Sequence, residues 1–158
     1  MANVIYAPTP YKINANVSIF LAGSIEMGAA ENWQNKVIDS FKDIDYVDFL
    51  NPRRIDWDFS WEQSIDNPQF NEQVNWELDR LIDADYIFMY LQPGTISPIS
   101  LLEFGMFATH KTMIVVCPDG YFRKGNVDIV CRRARIEHLY TDLESGIESI
   151  KEIIGING

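Results

Sequence analysis

Hydrophobic positions along this chain fall in short bursts separated by longer stretches of helical period, an alternation that predicts βαβ units. Val17-Ser18-Ile19-Phe20-Leu21-Ala22 is a buried-strand run that stops at Gly23, and Trp33, Val37, Ile38 and Phe41 then recur at helical spacing. A second strand over residues 46–50 ends at Asn51-Pro52, where the missing proline N–H interrupts a ladder. Val74, Leu78 and Leu81 form the apolar stripe of a helix from Asn71 to Ile82, which leads into the most hydrophobic strand, Asp85 to Leu91. Pro98 to His110 reads as a helix, Thr112 to Cys117 as a strand, Val127 to Arg133 as a short helix and Ile136 to Tyr140 as a fifth strand. Thr141 to Ile154 is a closing helix stopped by Gly155.

Strands separated by helices imply a parallel sheet covered on both faces, and right-handed crossovers leave few topologies. The expectation is an α/β, flavodoxin-like (Rossmann-like) three-layer sandwich with a five-stranded parallel sheet of order 2-1-3-4-5. Ligands of such sheets sit beyond the carboxyl ends of the strands, at the switch point between the first and third. The loops after Ala22, Leu50 and Leu91 are therefore where chemistry is expected.

Composition narrows this picture. A chain of 158 residues that is 47% hydrophobic can bury one full core, so residues 1–158 read as a single domain. Its 23 acids against 13 bases give a net charge of −10, which argues against a nucleic-acid partner. No run approaches a membrane span, and Met1-Ala2-Asn3-Val4 lacks a signal-peptide layout, so a cytoplasmic protein with no membrane partner is expected. Cys117 and Cys131 have neither CxxC spacing nor a neighbouring His and read as core thiols; no metal and no cofactor are expected.

Each loop leaves two readings open. Gly23-Ser24-Ile25-Glu26-Met27-Gly28 fits neither GxGxxG nor a P-loop, and it puts Glu26 where a phosphate binder needs a base. It either offers backbone N–H groups to a ligand oxygen or simply makes a tight turn. The stretch from Asn51 to Phe70 has no evident element and carries Trp57, Phe59, Trp61 and Phe70. Those rings suit stacking on a base or sugar, or else pack the loop on itself or against a subunit. Arg53 and Arg54 either clamp an acidic group or pair with Asp56 and Asp58.

After the third strand, Ser97 as N-cap with Pro98 at the first helical position makes Glu103 an interior acid among Leu102, Phe104, Met106 and Phe107. The competing frame makes Ser100-Leu101-Leu102-Glu103 a capping box. Pro98 favours the first. Glu77, bordering the stripe of the preceding helix, is a second acid, and two carboxylates that meet at one sheet end suit retaining glycosyl transfer. His110 and His138 have no triad partner, and Arg132, Arg133 and Arg135 read as a helix-end cluster.

Taken in order, Phe20-Leu21-Ala22-Gly23-Ser24-Ile25, Trp33, Asn51-Pro52-Arg53-Arg54, Gln73-Val74-Asn75-Trp76-Glu77, Ala84-Asp85 and Ser100-Leu101-Leu102-Glu103-Phe104-Gly105 resemble the nucleoside 2-deoxyribosyltransferase-like proteins, over roughly residues 17 to 120. The resemblance implies a flavodoxin-like fold and exchange of the base of a 2′-deoxynucleoside through a covalent deoxyribosyl-enzyme. It makes Glu103 the nucleophile and Glu77, here Glu rather than the family's Asp, an acid that helps position the nucleophile or the base. Gly23, Ser24, Arg53, Asn75 and Ser97 become substrate contacts, with Trp57 and Trp61 walling the base. The implied partners are a nucleoside and a free nucleobase, in a homo-oligomer whose interface is expected at the aromatic loop and the Arg cluster. A rival is a deoxynucleoside 5′-monophosphate N-glycosidase, whose Gly-Ser-Ile-Arg-Gly-Gly turn resembles this one except that Glu26 replaces the Arg. That departure favours an unphosphorylated substrate. A catalytically inactive nucleoside-binding protein on the same fold is the third reading.

Overall fold

The computed structural model describes residues 1–25 and 31–156. In chain order the elements are β1 (Asn3–Tyr6), β2 (Val17–Gly23), α1 (Trp33–Asp39), β3 (Val47–Asn51), α2 (Pro68–Asp83), β4 (Tyr86–Tyr90), α3 (Pro98–Phe107), β5 (Met113–Val116), α4 (Lys124–Arg133), β6 (His138–Tyr140) and α5 (Leu143–Ile153). The strands form one sheet of order β1-β3-β2-β4-β5-β6, every pair parallel. The expected five-stranded core is present in its expected order, with β2 as its first strand, so the fold is flavodoxin-like.

One strand was not expected. β1 adds to the edge beside β3, from Asn3 opposite Asp48 to Tyr6 opposite Asn51. It is only four residues long and half exposed, so it carries neither the apolar run nor the alternation that marks a strand in sequence. A buried acid holds this end of the chain. Asn3, Asn14, Asn16 and Tyr11 all donate side-chain hydrogen bonds to the Asp48 carboxylate, at 2.8 to 3.2 Å. Burial alone would raise the Asp48 pKa, but these donors outweigh it and hold the group below the usual carboxylate range.

Successive residues of each strand serve opposite cores. Phe20, Ala22, Ile87, Met89 and Val115 pack under α2, α3 and α4 with Trp76, Leu81, Phe104, Phe107 and Cys131. Ile19, Leu21, Phe88, Ile114 and Val116 face α1 and α5 through Trp33, Val37, Phe41, Leu143 and Ile150. Both faces of the central strands are therefore dry, which is why their sequences read as continuous apolar runs. Cys117 and Cys131 are buried free thiols, pushed up by that burial to about 11 and about 12. Among the described residues no helix is long and apolar enough to cross a membrane.

At the amino ends of β2 and β4 the buried Ser18 is tied to the exposed Asp85. The Ser18 N–H and hydroxyl both donate to Asp85 Oδ2, at 2.9 and 3.0 Å, and the Asp85 N–H donates to Ser18 Oγ at 2.9 Å. Asp85→Ala removes the acceptor of two Ser18 donors at an edge that water can reach and is expected to cost about 1–2 kcal/mol in urea unfolding. Asp85→Asn, which keeps one acceptor, is expected to lose less than half of that. Equal losses in the two variants would remove Asp85 from this role.

Candidate active site

The crossovers leave β2 and β4 in opposite directions, β2 toward β3 and β4 toward β5, so the switch point lies between their carboxyl ends. Gly23 ends β2 opposite Tyr90. Its φ is +142°, and a Cβ there would stand 2.1 Å from Tyr90 O. This glycine is demanded by the sheet itself.

Ser24 follows, fully buried. Its N–H extends the ladder to Tyr90 O at 3.0 Å, and its carbonyl accepts from the Trp33 indole at 2.9 Å. Ser24 Oγ accepts from Gln92 N–H at 2.9 Å and shares hydrogen bonds with Thr95 Oγ1 at 2.8 Å and Ser97 Oγ at 2.6 Å. Thr95 Oγ1 also meets Ser97 Oγ at 2.9 Å and donates to Gln92 O at 2.7 Å. The three buried hydroxyls thus lie in a triangle of mutual contacts, with the Ser24 and Ser97 protons left to bond within it, that ties the turn after β2 to the loop that launches α3. Ser97 sits at φ +52°, ψ +52°, and its hydroxyl goes to this triangle instead of capping the helix. A left-handed serine costs energy that the surrounding bonds must offset, and such strain is concentrated at functional loops. Sequence reading found Ser24 and Ser97 but missed Thr95, which makes them one unit. The expectation built on Glu26, Met27 and Gly28 lies outside the described residues.

The helix that this loop starts does begin at Pro98, so Glu103 is interior in the second turn and only 7% exposed. Glu77, partly buried on the neighbouring α2, lies on the same side of the sheet. Burial pushes the Glu103 carboxyl well above its ordinary range, and the charge of Glu77 pushes it further. Glu77 itself is pushed up by burial to about 7, against an opposing hydrogen bond from Gln73. Near neutrality the two carboxyls therefore keep a proton between them.

Gln73, which opens the motif ending at Glu77 one helical turn later, was given no site role in the sequence. Its Nε2 donates to Pro52 O at 2.9 Å and to Glu77 Oε1 at 3.4 Å, joining the acid to the segment after β3. Asn51 Oδ1 accepts from the Arg53 N–H at 3.0 Å, and Gln34 Oε1 accepts from Arg53 Nε at 3.0 Å. These bonds fix which way each amide faces. Gln34 Nε2, Asn51 Nδ2 and Gln73 Oε1 remain buried without a partner among the described residues. Two donors and an acceptor thus lie on residues bonded to Arg53 or to Pro52 beside it, each orphan worth roughly 1–3 kcal/mol to a group that satisfies it.

Arg53 has no ion-pair partner among the described residues, and burial lowers its pKa. Arg54 takes the pairing role, 2.7 Å from Asp56 and 2.9 Å from Glu72, with its guanidinium 5.0 Å over the Trp61 ring. Trp57 meets Trp61 edge to face at 5.0 Å and Phe70 at 6.4 Å, so these rings pack the loop as a small core of its own. Asn75 is exposed, its amide bonded to Asn71 one turn back. The structure brings Gly23, Ser24, Ser97 and the two acids to one sheet edge, and leaves Asn75 on the outer face of α2. Among the described residues no group of three or more His, Cys, Asp or Glu side chains could hold a metal ion.

Comparison with known proteins bears on this site. The family model described as nucleoside 2-deoxyribosyltransferase like matches residues 16–121. A solved structure of a conserved protein from Enterococcus faecalis V583 superposes with a TM-score of 0.67 at 13% identity, over 88% of this chain and 99% of that one, a likeness of fold. No curated protein matches in sequence.

Proposed function

The chain belongs to the nucleoside 2-deoxyribosyltransferase-like family, and from that premise we propose that it cleaves the N-glycosidic bond of 2′-deoxynucleosides and passes the sugar to a second base through a deoxyribosyl-Glu103 intermediate. The observation that carries this reading is the pair of carboxyls, Glu103 buried on α3 and Glu77 partly buried on α2, close enough for the charge of Glu77 to raise Glu103, an arrangement that favours one proton kept by the pair. A Glu103 oxygen bonds to C1′ as the C1′–N bond breaks, and Glu77 gives its proton to the departing base. A ring nitrogen of the second base then attacks C1′, the bond to Glu103 breaks, and the N–H proton of that base returns to Glu77.

Before substrate enters, the Gln73 hydrogen bond favours the anion on Glu77, and the Glu77 charge favours the proton on Glu103. Positive charge developing at C1′ reverses that preference, because an anion on Glu103 faces it directly. Arg53 and the unpartnered amides of Gln34, Asn51 and Gln73 supply the polar contacts a base or sugar requires. The hydroxyl triangle of Ser24, Thr95 and Ser97 acts at one remove, by holding the loop from which α3 starts.

Incubation with 2′-deoxynucleosides, with and without a second free base, followed by chromatography tests the reading. A new nucleoside that forms only when the base is added is the expected result. Free base alone would make the protein a hydrolase, and bound but unchanged nucleoside would make it a binding protein. The rate should rise as pH passes about 7, where the pair first ionises, and fall again at more alkaline pH once the last proton leaves. A rate flat from about pH 5 to 9 would contradict the shared proton.

A further inference from the structure

At the end of the sheet opposite its carboxyl edge, where the chain enters β5 and β6, lies a cleft of about 210 Å³. Thr109, Lys111 and Thr112 line it from the segment between α3 and β5, and Arg135, Glu137 and His138 line it where α4 passes into β6. Lys111 Nζ donates to Ile82 O and Ala84 O at the end of α2, which holds its charge at the cleft with one N–H to spare. The Arg135 guanidinium and the two threonine hydroxyls have no hydrogen-bond or ion-pair partner among the described residues.

Arg135 is the residue that needs explaining. α4 and α5 end in the same cap: the Ile136 N–H donates to Cys131 O at 2.9 Å after α4, and the Ile156 N–H donates to Lys151 O at 2.8 Å after α5. Such a cap puts the residue before that N–H in the left-handed region, which glycine enters without a Cβ penalty. After α5 that residue is Gly155, at φ +84°. After α4 it is Arg135, at φ +60°. The cations that a helix C-terminus favours are already present in the last turn as Arg132 and Arg133, both exposed. Neither the backbone nor the helix dipole therefore accounts for an arginine at 135. A side chain kept where the backbone conformation costs energy points to what that side chain does.

We propose that this cleft binds a small phosphate-bearing anion between the Arg135 guanidinium and the Lys111 ammonium, with the Thr109 and Thr112 hydroxyls as further donors. A guanidinium takes two oxygens of one phosphate at once, and an ammonium adds a compact charge at a third. The cleft holds several water volumes, enough for a phosphate with a short organic tail. Of the acids nearby, Asp83 is paired with Arg80 at 2.9 Å and Asp85 accepts from Ser18, which leaves Glu137 as the acid lining the cleft. The net charge of −10 repels anions at long range, so capture depends on these local contacts. The inference is independent of the chemistry proposed for Glu103, at the other end of the sheet.

Thermal melts of the full chain with inorganic phosphate and with glycerol 3-phosphate, at ionic strength fixed with sodium chloride, test it. A ligand at ten times its dissociation constant moves the melting temperature of a domain of this size by about 3–6 °C, and a saturable rise of that order is expected. The tighter of the two probes shows whether the ligand is the free ion or a phosphomonoester. Arg135→Gly should abolish the response without lowering the melting temperature measured in the absence of phosphate, because glycine fits the left-handed position. Glu137→Gln should lower the half-saturating concentration about two- to fivefold, the range of an exposed charge contact. Arg123→Ala, at the other end of α4, should leave the response unchanged. A rise that keeps pace with concentration as for a salt excluded from the surface, a response that survives Arg135→Gly, or one lost equally in Arg123→Ala would each overturn the proposal.

Discussion

Glu103→Gln is expected to reduce base release by roughly 10³-fold or more while raising the melting temperature. The loss follows from removing the oxygen that bonds to C1′. The gain follows from linkage. A carboxyl whose folded pKa is raised binds its proton more tightly when folded, so stability falls as pH climbs from the unfolded value to the folded one. At neutral pH a buried Glu103 is therefore a burden that an amide of the same shape relieves. For Glu77, raised from 4.5 to about 7, that burden is at most about 3 kcal/mol, and Glu77→Gln should be stabilising by a fraction of it. Both gains should shrink as pH is lowered through 4.5, and vanish below it, where both carboxyls are neutral folded and unfolded alike. Thermal melts across pH and a chromatographic assay of base release check both halves. A structural Glu103 would show the opposite signature, with stability lost and turnover kept.

Gly23→Ala is expected to prevent folding or to cost more than about 4 kcal/mol, the range reserved for strain or overpacking with no escape. Its Cβ would lie 2.1 Å from a backbone oxygen and 2.9 Å from a backbone nitrogen of Tyr90, atoms that cannot rotate away, at a φ of +142°. Gly125→Ala on α4 is the control, because it meets nothing within 4 Å and should gain about 0.5–1 kcal/mol from helix propensity. Urea unfolding of both variants separates the cases. A Gly23→Ala protein of near wild-type stability would show that the turn after β2 can relax.

Much of this was legible because the central strands are dry on both faces and the helices are not. Phe20 to Ala22 and Ile87 to Leu91 announce themselves as strands, and Ser97-Pro98 starts α3 at the residue where the helix begins. The same cap signal stands at Asn67-Pro68, where Asn67 Oδ1 accepts from Phe70 N–H at 3.0 Å. It begins α2 three residues before Asn71, and the apolar stripe alone could not reveal that start, because Pro68, Gln69 and Phe70 precede it. β1 escaped because an edge strand held by Asn and Tyr hydrogen bonds to Asp48 leaves little hydrophobic trace.

Within the site, the acids were readable as polar residues at apolar positions. Their supports were not. Thr95, Gln34 and Gln73 act across chain separations that no local pattern encodes, Ser24 to Thr95 spanning 71 residues and Gln34 to Arg53 spanning 19. For the aromatic loop the sequence left open a wall for a base and a self-packed core, and in the structure the Trp57, Trp61 and Phe70 rings and the Arg54 guanidinium contact one another.

The most direct measurement is peptide mapping by mass spectrometry of protein quenched in acid during turnover of a 2′-deoxynucleoside in the absence of a second base. The account predicts one deoxyribosyl group on the peptide containing Glu103, lost when free base is added before the quench and absent from Glu103→Gln. A sugar attached to any other residue, or active protein that never carries one, would contradict it.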